Sequence, residues 1–316
     1  MRGLDPAALV ERAAGGDRAA LARLAHQRAG RAYTVGITGA PGAGKSTLTS
    51  ALVPHLRQAG HEVGVLAVDP TSPVTGGALL GDRVRMTGHG ADDGVFIRSM
   101  ASRGHRGGLA LATGDAVRVL DAAGFDLVVV ETVGVGQVEV AVAGAADTTI
   151  VVVHPGWGDA VQAAKAGLLE VADVIVVNKA DLGGAEAAVR DLEGVLRLVG
   201  PSAGGWRPPV VVTAASDGSG VEQVWQAVAA HGAAQKASGH LDRRRRQRLA
   251  TEVRELALRR LEERAAAGLG GVDALVEEIA AGRLDPWSAA DRLLSAAAPP
   301  RPVEGELPAP SSPAFR

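Results

Sequence analysis

Short apolar runs alternate with amphipathic stretches from about residue 33 to residue 235 of the chain. Each run is six or seven residues long, and most are rich in valine and isoleucine. Continuous apolar runs of this length are typical of strands that are buried on both faces of a parallel sheet. We therefore predict strands at 33–38, 62–68, 94–100, 126–132, 148–154, 173–179 and 209–214.

Helical periodicity follows most of these runs. The helices predicted for this region span 45–58, 107–122, 159–171, 184–198 and 220–230. Strands separated by helices imply right-handed crossovers, so the predicted fold class is α/β, with a mostly parallel central sheet flanked by helices. Ligands of such folds bind beyond the carboxyl ends of the strands, at the point where the strand order reverses.

The regions on either side of this core have a different pattern. Residues 5–30 are rich in alanine and predict helices, whereas residues 240–268 predict one long charged helix. Two shorter helices are predicted at 272–281 and 286–296. We divide the chain into an amino-terminal helical extension, an α/β domain, a carboxyl-terminal helical arm for dimerisation or docking, and a disordered proline-rich tail, at residues 1–32, 33–235, 236–297 and 298–316.

Composition and charge narrow the function classes. The chain has no cysteine, which excludes disulfides and thiolate metal sites. Its net charge of −2 gives no reason to expect nucleic acid or an anionic membrane as partner. The amino terminus is charged and amphipathic, and no stretch reaches the ~18 apolar residues that a membrane span needs. We therefore expect a cytoplasmic protein. The run Arg243–Arg246 is interpreted as a solvated helix face, because acidic residues follow and no aromatic residues interleave.

The segment GAPGAGKST follows the first predicted strand directly and precedes a helix. It fits the phosphate-loop pattern, in which glycines let successive backbone N–H groups point at phosphate oxygens. Lys45 is expected to contact the β- and γ-phosphates, and the Ser46 hydroxyl is expected to bind Mg²⁺. The predicted phosphate-binding residues are Gly39, Ala40, Pro41, Gly42, Ala43, Gly44, Lys45, Ser46 and Thr47.

The sequence NKAD at the end of the sixth predicted strand indicates the base. A carboxylate only accepts hydrogen bonds, so Asp181 would select guanine, which presents two adjacent donors. Asn178 would bond the base or brace the phosphate loop, and the Lys179 stem would cover the purine face. The segment TAAS (213–216) at the end of the last strand is expected to cap the guanine oxygen with its backbone, and its predicted site residues are Thr213, Ala214 and Ala215.

Three acids lie where a site at this edge of the sheet would need them. Glu131 ends a predicted strand and is the best candidate for a metal-site carboxylate, while Asp69 and Asp82 could contact a metal-bound water or place the attacking water. Each acid could instead be a helix cap or turn residue. Gly134 is expected to give its N–H to the γ-phosphate. A polar face formed by Asp159, Gln162 and Lys165 reads the nucleotide state, binds a partner or is a solvated surface.

With these residues assembled, the chain resembles the MeaB/ArgK family of GTPases associated with methylmalonyl-CoA mutase. The resemblance covers about residues 5–296 and rests on the motifs GAPGAGKST, DPTSPVTGGALLGDRVRM, ETVGVGQVE and VADVIVVNKAD. It implies a homodimeric GTPase that loads adenosylcobalamin into an acyl-CoA mutase and protects that mutase. It also implies that Asp69, Asp82 and Glu131 are the acids of the Mg²⁺ site. Lys165 matches a third switch of the family, which responds to the mutase.

The predicted reaction is hydrolysis of GTP to GDP and phosphate, with Lys45, Asp82, Glu131 and Lys165 as the catalytic residues. No arginine finger is evident in the sequence, so we expect slow intrinsic turnover that the mutase accelerates. Three alternatives are a nickel-insertion GTPase, a kinase and a nucleotide-binding module without turnover. The absence of cysteine argues against the nickel-insertion GTPase, and the NKAD motif argues against the kinase. A module without turnover is disfavoured because Lys45, Ser46 and Glu131 are all present. Methylmalonyl-CoA mutase is the expected partner, with isobutyryl-CoA and other acyl-CoA mutases left open.

Overall fold

The structure, a computed structural model, describes most of the chain in seven ranges. These ranges are 11–70, 92–102, 108–132, 144–156, 169–201, 205–267 and 272–297. By its contacts the chain forms two compact units, Met1–Glu252 and Val253–Arg316. The division therefore falls within the long charged helix rather than at its start.

The first unit is built on a parallel sheet of seven strands in the order β3-β2-β4-β1-β5-β6-β7. The strands, in chain order, are β1 (Tyr33–Gly39), β2 (Val63–Pro70), β3 (Val95–Ser102), β4 (Leu127–Thr132), β5 (Thr148–Val153), β6 (Val174–Val177) and β7 (Val210–Val212). Every predicted strand is present, and their parallel pairing confirms the predicted fold class. The central strands are fully buried, which is why their sequences are continuous valine and isoleucine runs.

Within the first unit, helices pack on both faces of this sheet. In chain order, the helices of the described residues in both units are α1 (Arg18–Arg28), α2 (Lys45–Gln58), α3 (Gly108–Ala123), α4 (Ala185–Val199), α5 (Val221–Ala237), α6 (His240–Ala267), α7 (Val272–Ala280) and α8 (Pro286–Ala297). Their bounds agree closely with the predicted ones, except that α5 continues seven residues beyond the predicted end at residue 230. The predicted helix at 159–171 lies mostly outside the described residues, as do the predicted tail and the first ten residues of the extension.

Alternating side chains of the strands divide the core into two layers. Helices α2 and α5 pack on one face through residues such as Leu48, Leu52 and Val224. On the other face, α4 packs on β5 and β6 through Leu192, and α3 packs on β2 and β4 through Leu120. Burial of both faces holds the strand ends in fixed positions.

The strand order places the loop after β1 at the centre of the sheet. From β1 the chain runs to β2, β3 and β4 on one side, and then crosses to β5 on the other side. The carboxyl ends of β1, β4 and β6 therefore meet at one edge, where the predicted nucleotide motifs lie. We call this the nucleotide edge.

At the opposite edge of the sheet, the structure shows that the interpretation of the run Arg243–Arg246 as a solvated helix face is wrong for two of its residues. Arg244 and Arg245 are not on a solvated face: Arg244 pairs with Asp173 at 2.9 Å, and Arg245 pairs with Asp147 at 2.6 Å. Arg248, one turn further along α6, also binds Asp147. We call these five residues the arginine cluster. Arg243 and Arg246 at the ends of the run are exposed as predicted.

The arginine cluster forms because Asp147 and Asp173 are buried directly before the first residues of β5 and β6. Asp147 accepts a hydrogen bond from the Thr34 backbone at 3.1 Å, and Asp173 accepts one from the Thr149 backbone at 2.8 Å. Buried carboxylates need cationic partners, and α6 presents its arginines to them on one face. The aspartates are distant in sequence from α6, so the pairing could not be read from local pattern.

The second unit carries α7 and α8. Asp285 caps α8 by accepting hydrogen bonds from the backbones of Trp287 and Ser288 at 2.9 and 3.0 Å. Arg292 of α8 bonds Glu278 of α7 at 3.1 Å. Several large apolar side chains in this unit are exposed, namely Val253, Leu256, Leu258, Leu261, Val272, Val276, Trp287 and Leu294. In the parts of the chain that the structure describes, no helix combines the length and apolar character of a membrane span.

Candidate functional site

The phosphate loop, residues 39–47, closes tightly against its neighbours. Gly39 ends β1 with a φ of 137°, and a Cβ atom there would lie 2.0 Å from the Val152 carbonyl oxygen. Gly44 has a φ of 90°, and a Cβ there would lie 2.4 Å from the Asn178 side-chain nitrogen. Both positions combine left-handed backbone with close approach, so only glycine fits. This geometry explains two of the glycines of the motif.

Lys45 is folded into the loop that precedes it. Its side chain is buried, and its ammonium group donates to the carbonyl oxygens of Gly39 at 2.9 Å and Ala40 at 3.0 Å. A cation is therefore held at the centre of a loop whose glycines allow backbone N–H groups to turn inward. This combination suits a polyphosphate, which needs both charge and amide donors.

Ser46, at the start of helix α2, and Glu131, in strand β4, are brought together by the fold. The Ser46 hydroxyl donates to a Glu131 carboxylate oxygen at 2.5 Å, and Glu131 is fully buried. The register explains the contact, because Glu131 pairs with Ile37 of β1, just before the phosphate loop. A hydroxyl and a carboxylate at this spacing are hard oxygen ligands of the type that Mg²⁺ prefers.

The other predicted acids and switch residues are described only in part. Asp69 lies near the end of β2, one residue beyond the Val68–Thr132 pair, so its backbone reaches the same edge as Glu131. The Asp69 side chain lies outside the described part of the chain. Asp82, Gly134 and Lys165 lie wholly outside the described residues, together with the polar face at 159–165.

Asn178 connects the two predicted motifs. Its side-chain nitrogen donates to the Ala43 carbonyl oxygen of the phosphate loop at 2.8 Å. Its side-chain oxygen accepts from the Thr213 hydroxyl and from the Ala215 backbone, both at 3.0 Å. Of the two roles that the sequence allows for Asn178, the geometry supports the brace. Its amide holds three loops in register.

The chain turns sharply after this brace. Lys179 has a φ of 62°, a left-handed conformation that costs a non-glycine residue about 1 kcal/mol. A short 3₁₀ turn, Ala180–Leu182, follows, and the Ala180 N–H donates to the Thr213 carbonyl oxygen at 3.0 Å. Asp181 is consequently exposed beside the buried Asn178, where its carboxylate can accept hydrogen bonds from a ligand.

The loop after β7 uses its first amides internally. The Ala215 N–H donates to Asn178, and the Ala214 N–H donates to the Ser219 carbonyl oxygen at 3.0 Å. The next amide, that of Ser216, has no hydrogen bond to the described residues. The cap of the base was predicted for the segment 213–216, with Thr213, Ala214 and Ala215 named as its site residues. The hydrogen bond from the Ala215 N–H to the Asn178 side chain, which occupies that amide, could not be predicted from the sequence.

Known proteins resemble the chain over most of its length. The family described as methylmalonyl Co-A mutase-associated GTPase MeaB matches residues 8–269. A putative GTPase of Pyrococcus abyssi is 46% identical over 307 residues, which span 90% of this chain and 95% of that protein. GTPase ArgK of Escherichia coli is 41% identical over 221 residues, or 69% of this chain and 67% of that protein. The crystal structure of an LAO/AO transport system kinase has a TM-score of 0.64 at 26% identity, covering 92% and 96% of the two chains.

Proposed function

The chain belongs to the family of methylmalonyl-CoA mutase-associated GTPases, MeaB, and we propose that its GTP hydrolysis serves an adenosylcobalamin-dependent acyl-CoA mutase. The membership confirms the resemblance drawn from the motifs, and the names of its relatives make the chain a GTP hydrolase. The proposal concerns the partner: the GTPase would support loading of adenosylcobalamin into a mutase and protect the loaded enzyme. Methylmalonyl-CoA mutase is the proposed substrate protein, because the family description names it.

The phosphates of GTP or GDP would bind in the loop 39–47. Backbone amides of the loop would surround the phosphate oxygens, and Lys45 would contact the β- and γ-phosphates. The observation that carries this assignment is the buried Lys45 ammonium, held 2.9 Å from the Gly39 carbonyl oxygen at the centre of the loop. The N–H of Gly134 would contact the γ-phosphate from the following switch.

Guanine would be selected by the exposed Asp181 carboxylate, which can accept from N1–H and from the 2-amino group together. The Lys179 stem would cover the purine face. The free N–H of Ser216 would donate to the guanine oxygen, while Thr213 to Ala215 would hold the loop through Asn178. Adenine lacks this donor pair, so ATP would bind weakly.

A Mg²⁺ ion would be held by Ser46 and Glu131, with Asp69 and Asp82 as further direct or water-mediated ligands. When bound, it would neutralise charge on the phosphate oxygens. In hydrolysis, a water oxygen attacks the γ-phosphorus and the bond to the β–γ bridging oxygen breaks. The products are GDP and inorganic phosphate, and the water proton ends on the phosphate. Lys45 would stabilise the charge that develops during this step, while Asp82 would place the water.

A homodimer is proposed for the assembly. The second unit exposes apolar side chains along α6, α7 and α8, including Val253, Leu258 and Trp287. Large exposed apolar side chains are unfavourable in water, and where they adjoin one another they are usual at protein interfaces. Lys165 would act in a switch that senses the mutase rather than the second copy.

Phosphate release from GTP tests the partner. Turnover of the full-length protein is measured alone, with a purified adenosylcobalamin-dependent mutase, and with an acyl-CoA enzyme that uses no cobalamin. We expect slow turnover alone and a rise of about tenfold or more with the mutase only, because partners often supply missing transition-state contacts. Equal turnover in all three mixtures would contradict the proposed coupling and leave the GTPase assignment intact.

A further inference from the structure

An open groove lies between helix α2 and the loop that follows β7. Its volume is about 440 Å³, against about 10–15 Å³ for one water on the same measure, so it can receive a group of several heavy atoms. One wall is a face of α2 that includes Thr47, Ala51 and His55, which recur every four residues. The other wall includes Ser216 and Gly218 of the loop.

The groove joins the two parts of the proposed nucleotide site. Thr47, the last of the residues predicted to bind phosphate, belongs to the α2 wall, and Ser216, whose N–H is proposed to bind the guanine oxygen, belongs to the other wall. In GTP and GDP the ribose is the group that links the phosphates to guanine. A nucleotide held at both ends would therefore have its ribose at this groove.

The loop wall is held by backbone hydrogen bonds. The Ala214 carbonyl oxygen accepts from the N–H groups of Asp217 and Gly218 at 3.2 and 3.1 Å, and the Ala215 N–H donates to Asn178 at 3.0 Å. Gly218 has a φ of 84°, a left-handed conformation that glycine adopts without strain. The loop is closed on itself and tied to Asn178, so this wall is in place before a nucleotide binds.

His55 gives the α2 wall a hydrogen-bond acceptor. Its Nδ1 lies 3.0 Å from the Ala51 carbonyl oxygen. Because a carbonyl oxygen only accepts hydrogen bonds, Nδ1 carries the ring proton, and Nε2 of the neutral imidazole is then an acceptor. The hydroxyls of a ribose can donate to such an atom.

The contact with Ala51 also sets the height of the His55 ring along the groove. The His55 backbone is eight residues beyond Thr47, or about 12 Å at 1.5 Å per residue. Helical side chains lean toward the amino end of their helix, and the bond from Nδ1 to the Ala51 carbonyl oxygen shows that this ring does so. The ring is therefore nearer to Thr47 than its backbone is, within reach of the sugar of a nucleotide whose phosphates are bound there.

We infer that this groove binds the ribose of GTP and GDP, and that Nε2 of His55 accepts a hydrogen bond from its 2′- or 3′-hydroxyl. The inference rests on the proposed function and deepens it. The methyl group of Ala51 would contact carbon atoms of the sugar. The site would thus select ribonucleotides over deoxyribonucleotides, in addition to guanine over adenine.

Equilibrium binding of GDP, 2′-deoxy-GDP and 3′-deoxy-GDP to the full-length protein tests the ribose site. We expect at least one of the two deoxynucleotides to bind about tenfold more weakly than GDP, because its binding leaves the His55 acceptor without a donor. The hydroxyl whose removal weakens binding identifies the donor to His55.

Substitutions of His55 connect this discrimination to the imidazole. His55→Phe keeps a ring and removes the acceptor, so GDP should bind about tenfold more weakly and no more tightly than the deoxynucleotide. His55→Gln keeps an acceptor near the position of Nε2 and should retain part of the discrimination. His26→Phe, at an exposed position of α1, is the matched control and should bind all three nucleotides as the unchanged protein does.

Equal binding of the three nucleotides by the unchanged protein would overturn the inference, and full discrimination in His55→Phe would overturn it as well. The first of these measurements needs no variant, so it decides even if His55→Phe does not fold. Tight binding of GDP without discrimination would leave the GTPase assignment and the proposed coupling to a mutase intact. Failure to bind GDP at all would contradict the nucleotide site itself, and the inference with it.

Discussion

The two edges of the sheet hold polar groups in opposite ways. At the nucleotide edge, Lys45 and Ser46 begin α2 directly after the glycine-rich loop, and Glu131 lies in β4. Lys45 bonds carbonyl oxygens of the loop, and Ser46 bonds Glu131. At the other edge, Asp147 and Asp173 are satisfied by arginines from a single helix. Here burial would raise the pKa of Asp147, but the Arg245 bonds and the Arg248 charge lower it below its ordinary value.

The difference separates groups kept for a ligand from groups kept for the fold. Under the proposed function, polar atoms of the nucleotide edge would exchange internal contacts for contacts with GTP. Those of the arginine cluster are neutralised within the protein, and removing one partner leaves a buried charge. Substitutions at the first edge should change activity, and substitutions at the second should change stability.

The largest expected effect is on turnover in Lys45→Ala. Removal of the ammonium takes away charge stabilisation in the transition state, and kcat should fall about 10³-fold. The midpoint of thermal unfolding should change little. Lys236→Ala, in the last turn of α5, is the control and should keep full turnover. Normal hydrolysis by Lys45→Ala would remove the phosphate loop from its assigned role.

Asp147→Asn should reverse this pattern. The change leaves Arg245 and Arg248 without their buried anion, and the free energy of unfolding should fall by about 3 kcal/mol. Denaturant unfolding gives this value, and GDP affinity of the folded protein should be unchanged. Asp242→Asn, at an exposed position of α6, should have no measurable effect. A loss of GDP affinity in Asp147→Asn, with stability retained, would show that the two edges are not separable.

Asp181→Asn sharpens the comparison within the nucleotide edge. The amide replaces one acceptor by a donor, so GTP affinity should fall about 30-fold, as for one hydrogen bond to a charged group. Xanthosine triphosphate, which has an acceptor in place of the 2-amino group, should gain affinity. Equilibrium binding of the two nucleotides measures both effects. Asp191→Asn, exposed on α4, should change neither, and an unchanged nucleotide preference in Asp181→Asn would exclude its role in base selection.

The smallest expected effect concerns pH and His231. Because burial lowers the pKa of His231 in the folded state, the unfolded chain binds more protons below about pH 6.5. Stability should therefore decrease as the pH falls from about 6.5, by at most ~1.4 kcal/mol per pH unit from this group. His231→Gln should flatten this slope between about pH 6.5 and 5, whereas His26→Gln on α1 should not. Parallel slopes in all three proteins would contradict the assigned neutral state.

The free energy of unfolding at low pH gives a related test of the pKa of Asp147. Its folded-state pKa is lowered, so its contribution is present above the unfolded value near 3.8 and is lost as the pH falls through the folded value. The difference in unfolding free energy between the unchanged protein and Asp147→Asn should therefore shrink below about pH 4. A difference that stays constant to pH 2 would argue against the lowered pKa.

Much of the fold could be predicted from sequence because its strands and helices have different local patterns of apolar residues. The strands of this sheet are buried on both faces, so their apolar runs differ sharply from the amphipathic helices between them. The end of α5 was missed because its second half exposes mostly alanine, while the polar side chains of His231 and Gln235 are buried. A polar residue that is buried through a tertiary hydrogen bond looks the same in sequence as an exposed one.

At the site, the residue types were predictable and their partners were not. The glycine motif and NKAD each indicate a function by spacing alone. That Asn178 braces Ala43, and that this brace uses the Ala215 amide, depends on three loops meeting at one edge. The roles of Asp69, Asp82, Gly134 and Lys165 remain predictions from the motifs and the resemblance.

The sequence by itself determined the succession of strands and helices along the chain, the phosphate loop, the guanine motif and the family. These features depend on residues that are close together in the chain. Only the tertiary structure decided which distant groups pair. It placed Ser46 against Glu131, and it turned the arginines of α6 inward onto Asp147 and Asp173. The physical reason is that a buried charge or amide takes whichever partner the packed sheet brings within hydrogen-bond distance, and local sequence does not encode that distance.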